Sequence, residues 1–204
     1  MVQTFLVNNR LDGVKLLGLA CGGGQQMPVF AALGAECTVL DNAEKQLENE
    51  QMVSEREGYA IKIIKADMTK RLPFDNEVFE FIFHPVSNCY VEDVYHVWNE
   101  CFRVLKKGGI LLAGMDNGLS YLFEEDNPLF IVNKLPYNPL KDTELYQRCI
   151  QGDGSIQFSH TMEEQIGGQL KAGFILTDLY EDSDSSEVGE YVPLFIATRA
   201  VKPI

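Results

Sequence analysis

The amino-acid sequence predicts an α/β fold built on a doubly wound, mostly parallel sheet of seven strands. Short apolar runs alternate along the chain with longer segments of helical periodicity, an order typical of parallel sheets covered by helices. The runs at 14–20 and 37–41 also enclose a glycine turn and a helical segment, which together form a βαβ unit. With 204 residues, 46% of them hydrophobic, the chain is long enough to bury the core of one domain spanning 1–204.

The strand boundaries follow from the residues that end each apolar run. Glycine and aspartate favour turns, and they follow the first three runs at Gly22, Asp41 and Asp67. The fourth run ends at His84, and the fifth begins after the glycine pair 108–109. We expect strands at 14–20, 37–41, 61–66, 79–84, 109–115, 174–180 and 191–199.

The helices are predicted from apolar stripes and from end signals. The third helix carries an apolar stripe made of Val94, Val97, Trp98, Cys101 and Val104. The last helix begins after Thr161, with Glu164 completing a capping box. We expect helices at 25–33, 43–57, 91–105 and 162–172.

Two further segments complete the predicted architecture. The last two strands flank an acidic stretch at 181–190 and are expected to form an antiparallel hairpin at the edge of the sheet. We interpret the acidic stretch as a solvated loop, with a cation site as the alternative. Segment 116–159 lies between the fifth strand and the last helix, and its length predicts a lid or substrate-binding insertion. Its aromatic residues are expected to form a small core of their own, with two or three of them facing substrate: Tyr121, Phe123, Phe130, Tyr137, Tyr146 and Phe158.

Composition limits the classes of partner. A net charge of −13 disfavours nucleic acids and anionic membranes, which are bound through dense lysine and arginine, so a small molecule is the expected partner. The 5 cysteines are odd in number and contain no C-x-x-C pair, which predicts reduced thiols and neither a disulfide framework nor a metal site. No signal peptide or membrane-spanning run is recognisable. We therefore expect a cytoplasmic protein. A homodimer is left open as its oligomeric state.

The glycine turn and two acids predict a cofactor site at the carboxyl edge of the sheet. Gly22 and Gly24 let the backbone approach a ligand closely, and the helix that begins near Gln25 points free N–H groups toward it. Asp41, at the end of the second strand, can accept both hydroxyls of a ribose. The third glycine of a dinucleotide fingerprint is replaced by Met27, which disfavours an NAD(P)-dependent oxidoreductase.

Four features follow one another along the chain in the order Gly22-x-Gly24, Asp41, Asp67 and the strand after Gly108-Gly109. On these features the sequence resembles the class I S-adenosylmethionine-dependent methyltransferases, in the subgroup that acts on small molecules. The resemblance covers 14–115 and resumes at 162–174. It implies S-adenosylmethionine as cofactor and a methyl transfer to an oxygen, nitrogen or carbon atom of a small acceptor.

The resemblance also implies roles for particular residues. Gly22 and Gly24 would line the methionine moiety, Asp41 would hold the ribose, and Asp67 would receive the adenine amino group, with the backbone of Met68 beside the ring. The segment 84–88 would face the sulfonium and the acceptor. The implied cofactor site is completed by Ala20, Gln25, Asn42 and His84.

One position departs from the family pattern. Gly18 stands where the family usually has an acid, and Ala20 stands in place of the first glycine. The cofactor's ammonium group therefore lacks one electrostatic partner. This departure keeps open the alternative of a methyltransferase-like module that binds or regulates without catalysis.

Candidate catalytic residues are the histidines near the predicted site. Methyl transfer from a sulfonium depends mainly on alignment, and a base is added when the acceptor must lose a proton. His84, at the end of the fourth strand, is as well explained by a structural role as by a catalytic one. His160, before the last helix, is a second candidate, for which packing beneath a lid is the stronger alternative. Asp41 and Asp67 have a simpler alternative role as turn formers.

Overall fold

The computed structural model describes residues 10–123, 130–152 and 154–204. The strands are β1 Lys15–Leu19, β2 Glu36–Asp41, β3 Ile61–Lys65, β4 Phe79–His84, β5 Leu105–Asp116, β6 Ile175–Asp182 and β7 Phe195–Val201. The helices are α1 Met27–Ala32, α2 Glu44–Glu57, α3 Val94–Val104, α4 Thr143–Gln151 and α5 Met162–Ala172. Each strand and helix expected from the sequence is present, with ends that differ by a few residues.

The strands form one sheet in the order β3-β2-β1-β4-β5-β7-β6. The strands β1 to β5 pair in parallel, whereas β7 pairs antiparallel with both β5 and β6. This confirms the doubly wound sheet and its antiparallel hairpin. The strand order reverses between β1 and β4, and ligands of such sheets bind in the crevice beyond the carboxyl ends of the strands at that point.

Hydrophobic cores fill both faces of the sheet. On one face, Trp98 of α3 is 0% exposed, and its Nε1 donates a hydrogen bond to the Glu164 carbonyl oxygen at 3.1 Å. Gly168 of α5 allows this close approach, because a Cβ there would lie 2.5 Å from Trp98 Cδ1. On the other face, α1 packs Met27 and Phe30 against β1, β2 and β4.

Two strand ends differ from the prediction for backbone reasons. The strand β5 begins at Leu105 and not at 109, because Leu105 pairs with Phe79 and the ladder then shifts register before Ile110. The strand β7 begins at Phe195 and not at 191. The N–H groups of Tyr191 and Val192 are both bound by the Val188 carbonyl, and Pro193 has no N–H to donate to a ladder.

Segment 116–159 contains regular structure that the sequence analysis did not predict. The helix α4 begins after Asp142, whose carboxylate accepts the N–H groups of Glu144 and Leu145, both at 3.0 Å. Two short 3₁₀ turns, Leu119–Leu122 and Pro139–Lys141, precede it. Residues 124–129 and 153 of the predicted insertion lie outside the described residues.

Candidate active site

A cavity of about 540 Å³ lies at the carboxyl edge of the sheet. Most of its wall comes from residues at or directly after the ends of β1, β2, β3 and β4, at 20–22, 41–43, 66–69 and 85–87. Its size falls within the range of small-molecule and cofactor pockets. The cavity therefore lies at the carboxyl edge where the strand order reverses between β1 and β4.

Most of the predicted cofactor residues share this cavity. The wall includes Ala20, Gly22, Gln25, Asp41, Asn42, Asp67 and Met68. Gly24 and His84 were also predicted to bind the cofactor, but they do not contribute to the wall. The wall also contains Ser87 of segment 84–88, which was expected to face the sulfonium, and Gln46 of α2, which the sequence analysis did not assign to the site.

Asp41 connects the second strand to the glycine turn. One carboxylate oxygen accepts the Gly22 N–H at 3.0 Å, and the other accepts the Ala43 N–H at 2.9 Å. A carboxylate oxygen has more than one acceptor site, so both oxygens retain capacity for further donors on the cavity side. This geometry suits a ligand that carries two neighbouring hydroxyls, as a ribose does.

The glycine turn has no room for side chains. A Cβ on Gly22 would lie 2.9 Å from Gln46 Cβ and 3.1 Å from an oxygen of Asp41. Gly24 has a φ of +74°, which favours glycine, and a Cβ there would lie 2.5 Å from Val53 Cγ2. Gly24 thus shapes the turn from outside the cavity, while Gly22 contributes directly to the wall.

The second acid lies at the end of β3. Asp67 accepts the Thr69 N–H at 2.8 Å, and Met68 is buried beside it. Burial alone would raise the pKa of Asp67, but hydrogen bonds from Thr69 and the positive charge of Lys70 outweigh it, so the pKa lies below its ordinary value. Asp67 is therefore ionised at neutral pH and available as an acceptor for an amino group.

His84 is fully buried behind the cavity. Its Nδ1 lies 2.9 Å from the Leu19 carbonyl oxygen, and its Nε2 lies 2.8 Å from Asn88 Oδ1. Burial lowers the pKa of His84, so the ring is neutral at pH 7 and its Nδ1–H donates to Leu19. A neutral ring needs a donor opposite Nε2. The Asn88 amide supplies it once oxygen and nitrogen exchange places in both Asn88 and Gln165, whose Oε1 lies 2.7 Å from Asn88 Nδ2 and whose Nε2 is buried without a partner among the described residues. With both nitrogens engaged, this geometry favours the structural role over the catalytic one.

His160 has a similar environment. The side chain is buried, and its Nε2 lies 3.1 Å from the Asn88 carbonyl oxygen. Its Nδ1 lies 4.0 Å from a carboxylate oxygen of Glu164 in the capping box of α5. His160 is absent from the cavity wall, so its position favours packing between segment 116–159 and the end of β4.

A buried acid at the end of β5 was not singled out in the sequence. Asp116 Oδ1 accepts the Gly118 N–H at 2.9 Å, whereas Oδ2 is buried with no hydrogen-bond partner among the described residues. Burial raises the pKa of Asp116 above its ordinary value of 3.8. The position of this acid at the carboxyl end of a central strand was the available signal.

The described residues of segment 116–159 pack beside this acid and do not contribute to the cavity wall. The rings of Tyr121 and Tyr137 lie 5.1 Å apart, and the Tyr121 hydroxyl donates to Gln157 at 2.9 Å. Phe158 is buried, whereas Phe130 is 63% exposed. None of the described aromatic residues of the segment lines the cavity, and its role as a substrate-selecting lid stays a prediction.

Comparison with known proteins decides the family. A family model described as a methyltransferase domain matches residues 17–113. The uncharacterized methyltransferase YbaJ of Bacillus subtilis is 42% identical over 198 residues, covering 94% of this chain and 78% of that protein. This chain belongs to the class I S-adenosylmethionine-dependent methyltransferases.

Two more distant similarities agree with this assignment. An S-adenosylmethionine-dependent methyltransferase from Mesorhizobium loti superimposes with a TM-score of 0.73 at 16% identity, covering 98% of this chain and 95% of that one. The sterol 24-C-methyltransferase erg6 of Aspergillus fumigatus is 30% identical over 121 residues, 57% of this chain and 31% of that enzyme. The oxidoreductase alternative is thereby discarded.

The residues present fit the cofactor. S-adenosylmethionine supplies a methyl group activated on a sulfonium, and it carries a ribose, an adenine and an amino-acid moiety. The unsubstituted Gly22 leaves room for close approach, Asp41 has free acceptor capacity, and Asp67 with Met68 offers an acceptor beside an apolar surface. Among the residues that the structure describes, the cavity wall contains these acids and no lysine, arginine or histidine, which suits a cationic cofactor.

Throughout the described ranges, no group of three or more histidine, cysteine or acidic side chains is arranged to hold a metal ion. The helices described above are also too short or too polar to cross a bilayer.

Proposed function

We propose that this methyltransferase acts on an oxygen, nitrogen or carbon atom of a small, largely apolar molecule. The observation that carries the proposal is the wall after β4, which belongs to the same cavity as Asp41 and Asp67. There Val86 is 39% exposed and Tyr90 is 58% exposed, next to Pro85 and Val91. Exposed apolar side chains grouped at a pocket are typical of ligand-binding surfaces.

The charge of the site supports a neutral or cationic acceptor. Asp41 and Asp67 are negative, and no cationic side chain lines the cavity within the described residues. A phosphate-rich acceptor such as a nucleic acid would be repelled by this wall and by a chain of net charge −13. The similarity to an enzyme named for a sterol, an apolar molecule, points in the same direction.

In this proposal the protein contributes mainly alignment. Asp41 and Asp67 hold the nucleoside part of the cofactor, and the wall after β4 holds the acceptor close to the methyl group. Ser87 ties the two walls together, because its hydroxyl donates to the Ala20 carbonyl at 2.8 Å. Holding the two reactants in one geometry replaces a bimolecular encounter by a step within one complex. Because the methyl donor is already activated, this alignment is the main contribution of the protein to the rate.

The experiment is a labelling assay. Purified enzyme is incubated with methyl-tritiated S-adenosylmethionine and either a filtered small-molecule extract or the macromolecular fraction of the same cells. We expect label in small molecules that partition into an organic solvent. The Asp67→Asn variant serves as the control with a weakened cofactor site. Label confined to nucleic acid or protein would contradict the proposal. A homodimer and a cytoplasmic location remain predictions from the sequence.

A further inference from the structure

A fully buried carboxylate lies directly against the glycine turn. Glu50 of α2 is 0% exposed. One of its oxygens accepts the Gly24 N–H at 2.6 Å, and the other accepts the Tyr59 hydroxyl at 2.9 Å. A bond from a backbone N–H to a carboxylate is among the stronger hydrogen bonds in proteins. Glu50 thus fixes the end of the turn whose beginning is fixed by Asp41.

Glu50 belongs to one face of α2 that packs on the turn. Gln46, Glu50 and Val53 follow at helical spacing, and all three approach the glycines. Gln46 fills the space next to Gly22, and Val53 fills the space next to Gly24. The conformation of the turn is therefore set by this helix as well as by the turn's own sequence.

The charge of Glu50 has no cationic partner in its hydrogen bonds, since both donors are neutral groups. A carboxylate removed from water is unfavourable unless a positive charge lies nearby. The negative charge of Glu50 acts as far as the cavity wall. The Cys21 thiol lines the cavity, and its pKa is raised mainly by burial and further by the negative charges of Glu50 and Asp41. S-adenosylmethionine is a cation, so a cofactor bound in this cavity would bring positive charge to this region.

Position 18 is a glycine and supplies no such charge. A Cβ on Gly18 would lie 2.9 Å from the Met27 sulfur and 3.0 Å from its terminal methyl carbon. Met27 is itself 0% exposed, so it has little space into which to move. Any carboxylate that serves this end of the cavity must therefore come from another element.

We propose that Glu50 is a positioning residue for the methionine end of the cofactor. It holds the Gly22–Gly24 turn through the Gly24 N–H, and its charge stabilises the cofactor's ammonium group. It acts through the turn and through space, without contact with the reacting atoms. This role concerns cofactor binding and is independent of the acceptor proposed above.

The test compares two ligands that differ at the methionine end. S-adenosylhomocysteine carries the amino-acid moiety, whereas 5′-methylthioadenosine has the same adenosine and a thioether without it. Both are titrated by calorimetry into the wild type and into Glu50→Gln, a variant that keeps the shape of the side chain and removes its charge. We expect the affinity for S-adenosylhomocysteine to fall by about tenfold or more, and that for 5′-methylthioadenosine to change by less than about twofold.

The matched control is Glu48→Gln, the same chemical change at an exposed position of the same helix, which is expected to alter neither affinity. Equal losses for both ligands in Glu50→Gln would mean that Glu50 only maintains the fold, and would overturn the proposal. No loss for either ligand would overturn it as well.

If Glu50→Gln does not fold, Tyr59→Phe decides. This variant removes one of the two hydrogen bonds that orient Glu50. A selective loss of S-adenosylhomocysteine affinity supports the proposal, and unchanged or equally reduced affinities overturn it. No acceptor is present in these titrations, so an error in the proposed acceptor class would leave their outcome untouched.

Discussion

Replacing Asp41 by alanine tests the cofactor site at its most connected residue. The side chain holds two backbone N–H groups, that of Gly22 at 3.0 Å and that of Ala43 at 2.9 Å. The same two oxygens have acceptor capacity left for the ribose hydroxyls. The substitution therefore removes the ribose acceptor and loosens the glycine turn together.

The expected magnitudes follow from these contacts. Hydrogen bonds to a charged group contribute roughly 1.5–3 kcal/mol, so the loss of the ribose contact should weaken cofactor binding by about ten- to a hundredfold. The two N–H groups released by the substitution lie at a partly exposed position where water can replace the carboxylate. We therefore expect the free energy of unfolding to fall by only about 1–2 kcal/mol.

The assay is calorimetric titration of S-adenosylhomocysteine, with urea unfolding followed by circular dichroism on the same samples. The control is Glu36→Ala, an exposed acid at the opposite end of β2, which should change neither affinity nor stability by more than about 0.5 kcal/mol. A dissociation constant for Asp41→Ala equal to that of the wild type would mean that Asp41 does not hold the ribose and is only a turn former.

Three further predictions follow from the structure. His84→Gln should lower the free energy of unfolding by about 1–3 kcal/mol with little change in S-adenosylhomocysteine affinity, because both ring nitrogens are hydrogen-bonded within the protein; unchanged stability in urea would contradict this. Burial raises the pKa of Asp116, so the stability that the protonated side chain contributes is lost as pH rises from 3.8 through the raised pKa. Asp116→Asn should therefore gain stability relative to the wild type as pH increases. A difference in the free energy of unfolding that stays constant with pH would contradict this prediction. Hydrogen exchange over residues 130–152 should be fast in the free enzyme and slow when cofactor and acceptor are both bound; slow exchange without ligand would make this segment a fixed part of the core.

The sequence was sufficient for the sheet because each strand carries its own local signal. The apolar runs of β1, β2 and β4 and the turn residues that end them specify where the chain must cross the core, and the parallel pairing follows from the helices between them. The acids Asp41 and Asp67 were predictable for the same reason, since parallel strands end at one edge. The helix α4 was missed, although Asp142 at its start is a standard capping residue.

The parts that could not be predicted depend on contacts between distant residues. Glu50 lies 26 positions from Gly24, and nothing in the local pattern of α2 distinguishes it from its exposed acidic neighbours. His84 illustrates the same limit. Its position at the end of β4 left a structural and a catalytic role equally open, because the burial and the contacts with Leu19 and Asn88 that favour the structural role depend on how the loop after β4 folds back.

The cavity at the carboxyl ends of β1, β2 and β3 is expected to bind S-adenosylmethionine through Asp41 and Asp67. A crystal structure of the complex with S-adenosylhomocysteine shows whether these contacts form. We predict the ribose hydroxyls at about 2.6–3.2 Å from the Asp41 carboxylate and the adenine beside Met68. The same structure measures the distance from the cofactor sulfur to the His84 ring, which we expect to exceed hydrogen-bonding reach. A cofactor bound elsewhere, or an adenosine that makes no contact with Asp41 or Asp67, would contradict the account.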